Sequence, residues 1–178
     1  MTSGRGTMSY STTLAGLLAS GALVAAGMAA TAAPAEAASF VTIRNFGSGL
    51  CVQPGRSNPT STGVQLTQEV CDGSVAQQWS PVSLGGGNYQ FVSRSSGGCM
   101  DAHGSNADGT PVDTWPCSTI SNQRWNFSPS IPNALPARIV SAIGNRCLDV
   151  TQGSGDPGTP IQIFHCTSDN AAQAWLIS

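Results

Sequence analysis

The sequence predicts an all-β protein assembled from three copies of one unit, each closed by its own disulfide. Three observations predict it. Cys51, Cys99 and Cys147 recur at a constant interval of 48 residues, each preceded eight residues earlier by a large apolar side chain, Ile43, Phe91 or Ile139. A second Cys follows each first one, as Cys71, Cys117 and Cys166. Each unit then ends on Gln-x-Trp, as Gln77-Gln78-Trp79, Gln123-Arg124-Trp125 and Gln173-Ala174-Trp175. Four landmarks in one order, three times over, are the signature of a repeat architecture.

The 178-residue chain opens on a segment that does not share this pattern. It is rich in Ala, Gly, Ser and Thr, and carries no charge from Leu14 to Ala33. A basic start, an apolar run and small residues around Ala35-Glu36-Ala37 are the parts of a secretory signal peptide, which we place at residues 1–37. A membrane anchor is the competing reading. The run is mostly Ala and Gly with few Leu or Val, which argues against it. The mature domain is placed at residues 38–178, with repeats at about 40–84, 88–129 and 136–178, and the protein is expected outside the cell.

Export makes an even number of cysteines a disulfide framework. Six cysteines allow fifteen connectivities, and the repeat selects one: Cys51–Cys71, Cys99–Cys117 and Cys147–Cys166. Each bridge closes a loop of about twenty residues, for which chain entropy gives ~3 kcal/mol. No Cys pair has the two-residue spacing of a zinc knuckle. Between landmarks the segments are short and bounded by turn formers such as Gly85-Gly86-Gly87-Asn88 and Asp156-Pro157-Gly158. That punctuation marks strands and turns, about four strands per repeat and twelve in all. Three units that cannot bury their apolar faces alone are expected to close around one centre.

Strand alternation sorts the side chains. Within the Cys-x-Asp segments the middle residues Val52, Met100 and Leu148 are apolar and face the core, so the flanking Cys and the third residue face away. In Gln-x-Trp the middle residues Gln78, Arg124 and Ala174 suit water, so Gln and Trp share the inner side. The Trp is read as core and the Gln amide as a partner for turn backbone groups. Before the second Cys, Val64 and Leu66, and Ile161 and Ile163, are expected to point inward, whereas Asp113 and Trp115, and Gln162 and Phe164, point outward. Trp115 is the only Trp outside Gln-x-Trp. An exposed aromatic beside carboxylates is informative.

Composition narrows the partners. The chain has no Lys, and Arg5 and Glu36 lie in the leader, which leaves six Arg against eight Asp and Glu. A mildly acidic domain lacks the basic footprint for nucleic acid or an anionic membrane. No metal cluster, phosphate-cradling loop or nucleophile elbow is present, so no cofactor and no catalysis are expected. Asp101 and Asp113 could be imagined as a glycosidase pair, but they fall in what reads as a shallow, unwalled pocket.

These landmarks resemble the ricin-B-type lectins, β-trefoil carbohydrate-binding modules with three Gln-x-Trp repeats and pseudo-threefold symmetry. The resemblance covers about residues 40–178. It implies a sugar site in each intact repeat: the Asp of Cys-x-Asp accepts from two sugar hydroxyls, an aromatic two residues before the second Cys stacks on the ring, a polar residue two before that adds a contact, and an Asn before the Gln donates. Sugars require such parts in any case, because an ionised carboxylate is acceptor-only and an aromatic covers the C–H patch. Repeat two has every part in Asp101, Asp113, Trp115 and Asn122, supported by Gln123, with Asp113 standing where the family more often has Gln. Repeat three has Asp149, Gln162 and Phe164, with Ala172 at the Asn position and Asn170 two residues earlier as a possible substitute. Repeat one has Gln53 for Asp, Thr67 or Glu69 for the aromatic and Ala76 for Asn, and reads as dead. His103 is read as a solvated turn residue, His165 as structural and turned away from Phe164, and Arg124 and Arg146 as surface charges. The expected function is a secreted, non-catalytic lectin for galactose- or xylose-type units on a polysaccharide or glycoconjugate. The alternatives are a β-trefoil protease inhibitor, using an exposed loop at Asn58-Pro59-Thr60 or Pro132–Pro136, and a structural protein whose sugar sites have decayed.

Overall fold

A computed structural model describes residues 39–178 except 57 and 129–135. The leader assigned to residues 1–37 and most of the loop ending at Pro136 lie outside these residues. Among the described residues, no helix is long and apolar enough to cross a membrane.

Repeat one supplies β1 (Ile43–Asn45), β2 (Cys51–Pro54), β3 (Val64–Glu69) and β4 (Trp79–Gly85). Repeat two supplies β5 (Asn88–Ser93), β6 (Cys99–Asp101), β7 (Thr110–Pro111), β8 (Asp113–Trp115) and β9 (Trp125–Ser128). Repeat three supplies β10 (Arg138–Ser141), β11 (Cys147–Val150), β12 (Ile161–Phe164) and β13 (Trp175–Ile177). The first and last strands of the repeats form a closed ring. β13 pairs β1, β4 pairs β5, and β9 pairs β10 between repeats. Within repeats, Val41 bridges Trp79, β5 pairs β9, and Ala137 bridges Trp175. Closure leaves this ring without a free edge.

The middle strands form three hairpins over one end, β2 with β3, β6 with β8, and β11 with β12. Among the described residues the count is thirteen rather than twelve because the third strand of repeat two is split. Pro111 has no N–H to give to a ladder, and the strand changes partners at Val112. Its amide donates to Ile161 O, and its carbonyl accepts from Leu66 N. These three residues occupy the same position in their repeats, so the exchange takes place around the pseudo-threefold axis.

Four sets of equivalent residues fill the centre: Ile43, Phe91 and Ile139; Val52, Met100 and Leu148; Leu66, Val112 and Ile161; Trp79, Trp125 and Trp175. All twelve are fully buried in one cluster. Each Trp Nε1 donates to the carbonyl between the first Cys and the third residue, Val52, Met100 or Leu148, at 3.0 Å in every repeat. The three disulfides join the cysteines predicted to pair. One expectation needs correction. Cys99, Cys147, Asp101 and Asp149 alternate off the core but are buried as well, because the disulfide and the Gln of Gln-x-Trp cover that side of the hairpin.

Candidate functional site

Each Gln-x-Trp glutamine ends a short 3-10 turn, Val75–Gln77, Ser121–Gln123 or Ala171–Gln173. Its amide performs the same three tasks each time. Oε1 accepts from the backbone just after the second Cys, at Asp72 N, Ser118 N or Thr167 N. Nε2 donates to the carbonyl before that Cys, Val70, Pro116 or His165. Nε2 also donates to the third residue of Cys-x-Asp, at Gln53 Oε1, Asp101 Oδ2 or Asp149 Oδ2, over 3.0, 2.8 and 3.0 Å. One buried amide thus fastens the disulfide turn and aims the carboxylate.

In repeat two, Asp101, Asp113, Trp115 and Asn122 line one shallow cavity of about 170 Å³, together with His103, Gly104 and Ile120. The hairpin register sets them there: Asp101 stands opposite Asp113, and Cys99 opposite Trp115. Trp115 is 48% exposed. Its edge leans on Gly63, where a Cβ would come within 3.2 Å of Cζ3. Gly63 also has φ +76°, a conformation that only glycine adopts without strain. Gly63→Ala should therefore tilt the indole as well as strain the turn, a change that a shift in Trp fluorescence would report.

Asn122 lines the cavity and has a further task. Its Nδ2 donates to Asp101 Oδ1 at 2.6 Å, so it braces the carboxylate as well as lining the cavity. His103 is not merely solvated. Its Nδ1 lies 2.8 Å from Asp113 Oδ2, on a residue held at φ 41°. The other oxygen, Asp113 Oδ1, is buried without a hydrogen-bond partner. Burial pushes the Asp113 carboxyl above its ordinary range, against the lowering effect of His103.

Repeat three brings Asp149, Gln162, Phe164 and Asn170 around a cavity of about 480 Å³. Here Gln162 Nε2 donates to Asp149 Oδ1 at 2.8 Å. Gln162 thus does for Asp149 what Asn122 does for Asp101, which accounts for the tolerance of Ala172 at the Asn position. Asn170 does not take over that bond. Its Oδ1 caps the turn at Ala172 N and its Nδ2 donates to Thr167 Oγ1. His165 does not turn away from Phe164: the two rings lie 4.5 Å apart, and His165 Nδ1 is 2.8 Å from Asp108 Oδ2. Asp108 also pairs with Arg146 at 2.9 Å, so Arg146 is an inter-repeat ion-pair partner. Burial raises the Asp149 carboxyl, opposed by its two amide donors.

Repeat one is built otherwise. Glu69 stands opposite Cys51, where Trp115 and Phe164 stand in their repeats, so the count back from Cys71 identifies the equivalent of the aromatic and Thr67 faces Gln53. The Glu69 side chain is buried and closed off by Arg56 at 2.7 Å.

The sequence matches the Ricin-type beta-trefoil lectin domain over residues 87–178 and the Ricin-type beta-trefoil lectin domain-like family over residues 31–115. The chain belongs to the ricin-type β-trefoil lectin domain family. Domains of this family are carbohydrate-binding modules, generally without catalysis of their own. A curated relative is the ribosome-inactivating protein PMRIPt of Polygonatum multiflorum, 26% identical over 129 residues. Those residues are 70% of this chain and 20% of that protein, so the chain spans about a fifth of the relative it matches. Among solved structures, the designed threefold protein ThreeFoil has a TM-score of 0.71 at 26% identity, covering 78% of this chain and 96% of its own. The Macrolepiota procera ricin B-like lectin, solved in complex with lactose, has a TM-score of 0.67 at 22% identity, covering 82% and 99%. The ricin-type β-trefoil thus accounts for the described residues as one fold, on which repeats two and three carry an acidic cavity beside an aromatic ring.

Proposed function

We propose that this ricin-type lectin is a secreted, non-catalytic protein that binds galactose- or xylose-type units through repeats two and three. The observation that carries the reading is the pairing, in both repeats, of a buried carboxylate gripped by two side-chain amides with a solvent-facing aromatic. Each oxygen of Asp101 and of Asp149 accepts one amide bond, and a carboxylate oxygen has capacity for a second. Two adjacent hydroxyls take those positions, and their bonds are strengthened by the carboxylate charge. Trp115 or Phe164 covers the C–H face of the same ring. Repeat one, with Gln53, a buried Glu69 and Ala76, contributes no site.

A shallow site of this kind supplies affinity on the order of millimolar, near −4 kcal/mol. Two such sites on one rigid body gain avidity on a repeating polymer. Retention on insoluble galactan or xylan should therefore exceed what the monosaccharide affinity implies, and equal affinities for polymer and free sugar would contradict this. A glycan array on the mature protein, repeated with Asp101→Ala and Asp149→Ala, tests the reading: each variant should lose part of the signal and the double variant all of it.

The site is sensitive to acid. The acceptor must be ionised, and burial raises the Asp149 carboxyl above the ordinary carboxylate range. Binding at repeat three should therefore fail, as pH falls, earlier than at an unshifted aspartate. The stability effect has the opposite sign. A folded-state pKa above the unfolded value means that the folded protein binds the proton more tightly, so this group's contribution to stability declines as pH rises through the window. Titrations of a Trp115→Ala variant, which isolates repeat three, should show affinity falling in mild acid while the melting temperature does not fall because of Asp149.

A further inference from the structure

The repeat-two cavity holds a second carboxylate that hydroxyl recognition by Asp101 leaves without a task. Asp113 stands directly opposite Asp101 across β6 and β8, and like charges so placed destabilise a strand pair. Repeat three avoids this by placing Gln162 opposite Asp149 and using it as a donor. The Asp113 side chain is 8% exposed. His103 satisfies Oδ2, but Oδ1 is buried with no donor, which is expensive for any acceptor and more so for a charged one. No guanidinium compensates: among the described residues the ionic partner of Asp113 is His103, and Asp101 is held by the uncharged amides of Asn122 and Gln123.

Two carboxylates lining one cavity without a guanidinium to balance them, and the half-exposed indole beside them, form the complement of an ammonium group. Ammonium brings three donors and a full positive charge. It makes charge-assisted bonds to carboxylates and is attracted to an indole face. Resting on the sugar-binding reading of this cavity, we infer that repeat two, among the units it binds, prefers a sugar unit with a free amino group, as in a de-N-acetylated glucosamine polymer, a preference that repeat three lacks. A hydroxyl offers one donor and no charge. An N-acetylated unit offers one amide N–H and a carbonyl oxygen that two carboxylates repel. A bound ammonium also favours the ionised form of Asp113, against the burial that raises its pKa.

The test is a calorimetric titration of the folded protein with three ligands at a pH where the amine is protonated: a glucosamine oligosaccharide, its fully N-acetylated counterpart and a neutral galactoside. The amine should bind about tenfold or more tightly than the acetylated oligomer, as expected for a charge-assisted pair. The margin should shrink as salt is raised. Asp113→Asn, which keeps the shape and removes the charge, should bring the two oligomers within about twofold. Should that variant fail to fold, the wild-type ratio and its salt dependence decide on their own. Equal binding of amine and acetylated oligomers, with the galactoside still bound, overturns this inference and leaves the lectin reading intact. Failure of all three ligands, and of a xyloside titrated beside them, overturns both.

Discussion

Replacing Trp115 with Ala should abolish measurable sugar binding at repeat two. The indole is the aromatic surface of that cavity, and it is 48% exposed where a sugar face would lie. Removing a stacking aromatic of this size forfeits on the order of 1–3 kcal/mol, or about a five- to 150-fold loss. Applied to a site near millimolar, that loss places repeat two beyond detection. Stability should barely change, because the side chain contributes nothing to the buried cluster and exposed positions usually count for less than about 0.5 kcal/mol. The check is a pair of measurements on one sample, sugar titration and thermal melting, with the first changed and the second not.

Replacing Trp125 with Ala should have the converse profile. Trp125 is fully buried among the twelve central residues, and its Nε1 satisfies the Met100 carbonyl at 3.0 Å. Its loss removes on the order of 150–250 Å² of buried surface, opens a cavity and orphans a buried acceptor. Large aromatic truncations cost about 3–5 kcal/mol, a large share of the 5–15 kcal/mol that typically holds a domain together. Chemical denaturation should show the midpoint falling steeply with the slope preserved. Trp125→Phe, which keeps most of the volume and loses the donor, should fall between wild type and Trp125→Ala.

The contrast between Trp115 and Trp125 shows what was legible in the sequence. Trp125 shares its Gln-x-Trp frame with Trp79 and Trp175, and threefold repetition of a bulky residue can only mean a shared centre. Trp115 lies outside that frame, and strand alternation from Val112 turned it outward. The pairing of the cysteines was legible for the same reason. Alternation misled at the flanks of Cys-x-Asp, because it tells which side of a strand a residue occupies and not whether another layer covers that side. Asp101 and Asp149 face away from the core and are still buried, under Gln123 and Gln173.

Side-chain partners were harder to read, because they depend on register across hairpins. Asn122 and Gln162 lie at different places in their repeats, yet each donates to Oδ1 of its own Asp. Gln162 is a donor and Asp113, its counterpart, is not, and that difference was visible as a sequence departure without its consequence. The Phe164–His165 contact was missed because neighbours on a strand are assigned to opposite faces. β12 ends at Phe164, so His165 is free of that rule and its ring lies against Phe164.

The claim on which the rest depends is that Trp115 is the exposed wall of a sugar site while the other three indoles are structural. Titrating a galactoside into ¹⁵N-labelled protein and following the four Trp Nε1–H resonances tests it most directly. The account predicts that the Trp115 resonance shifts saturably with sugar and that those of Trp79, Trp125 and Trp175, each bonded to a buried carbonyl, do not move. A saturable response at the three buried indoles with Trp115 unmoved would contradict it.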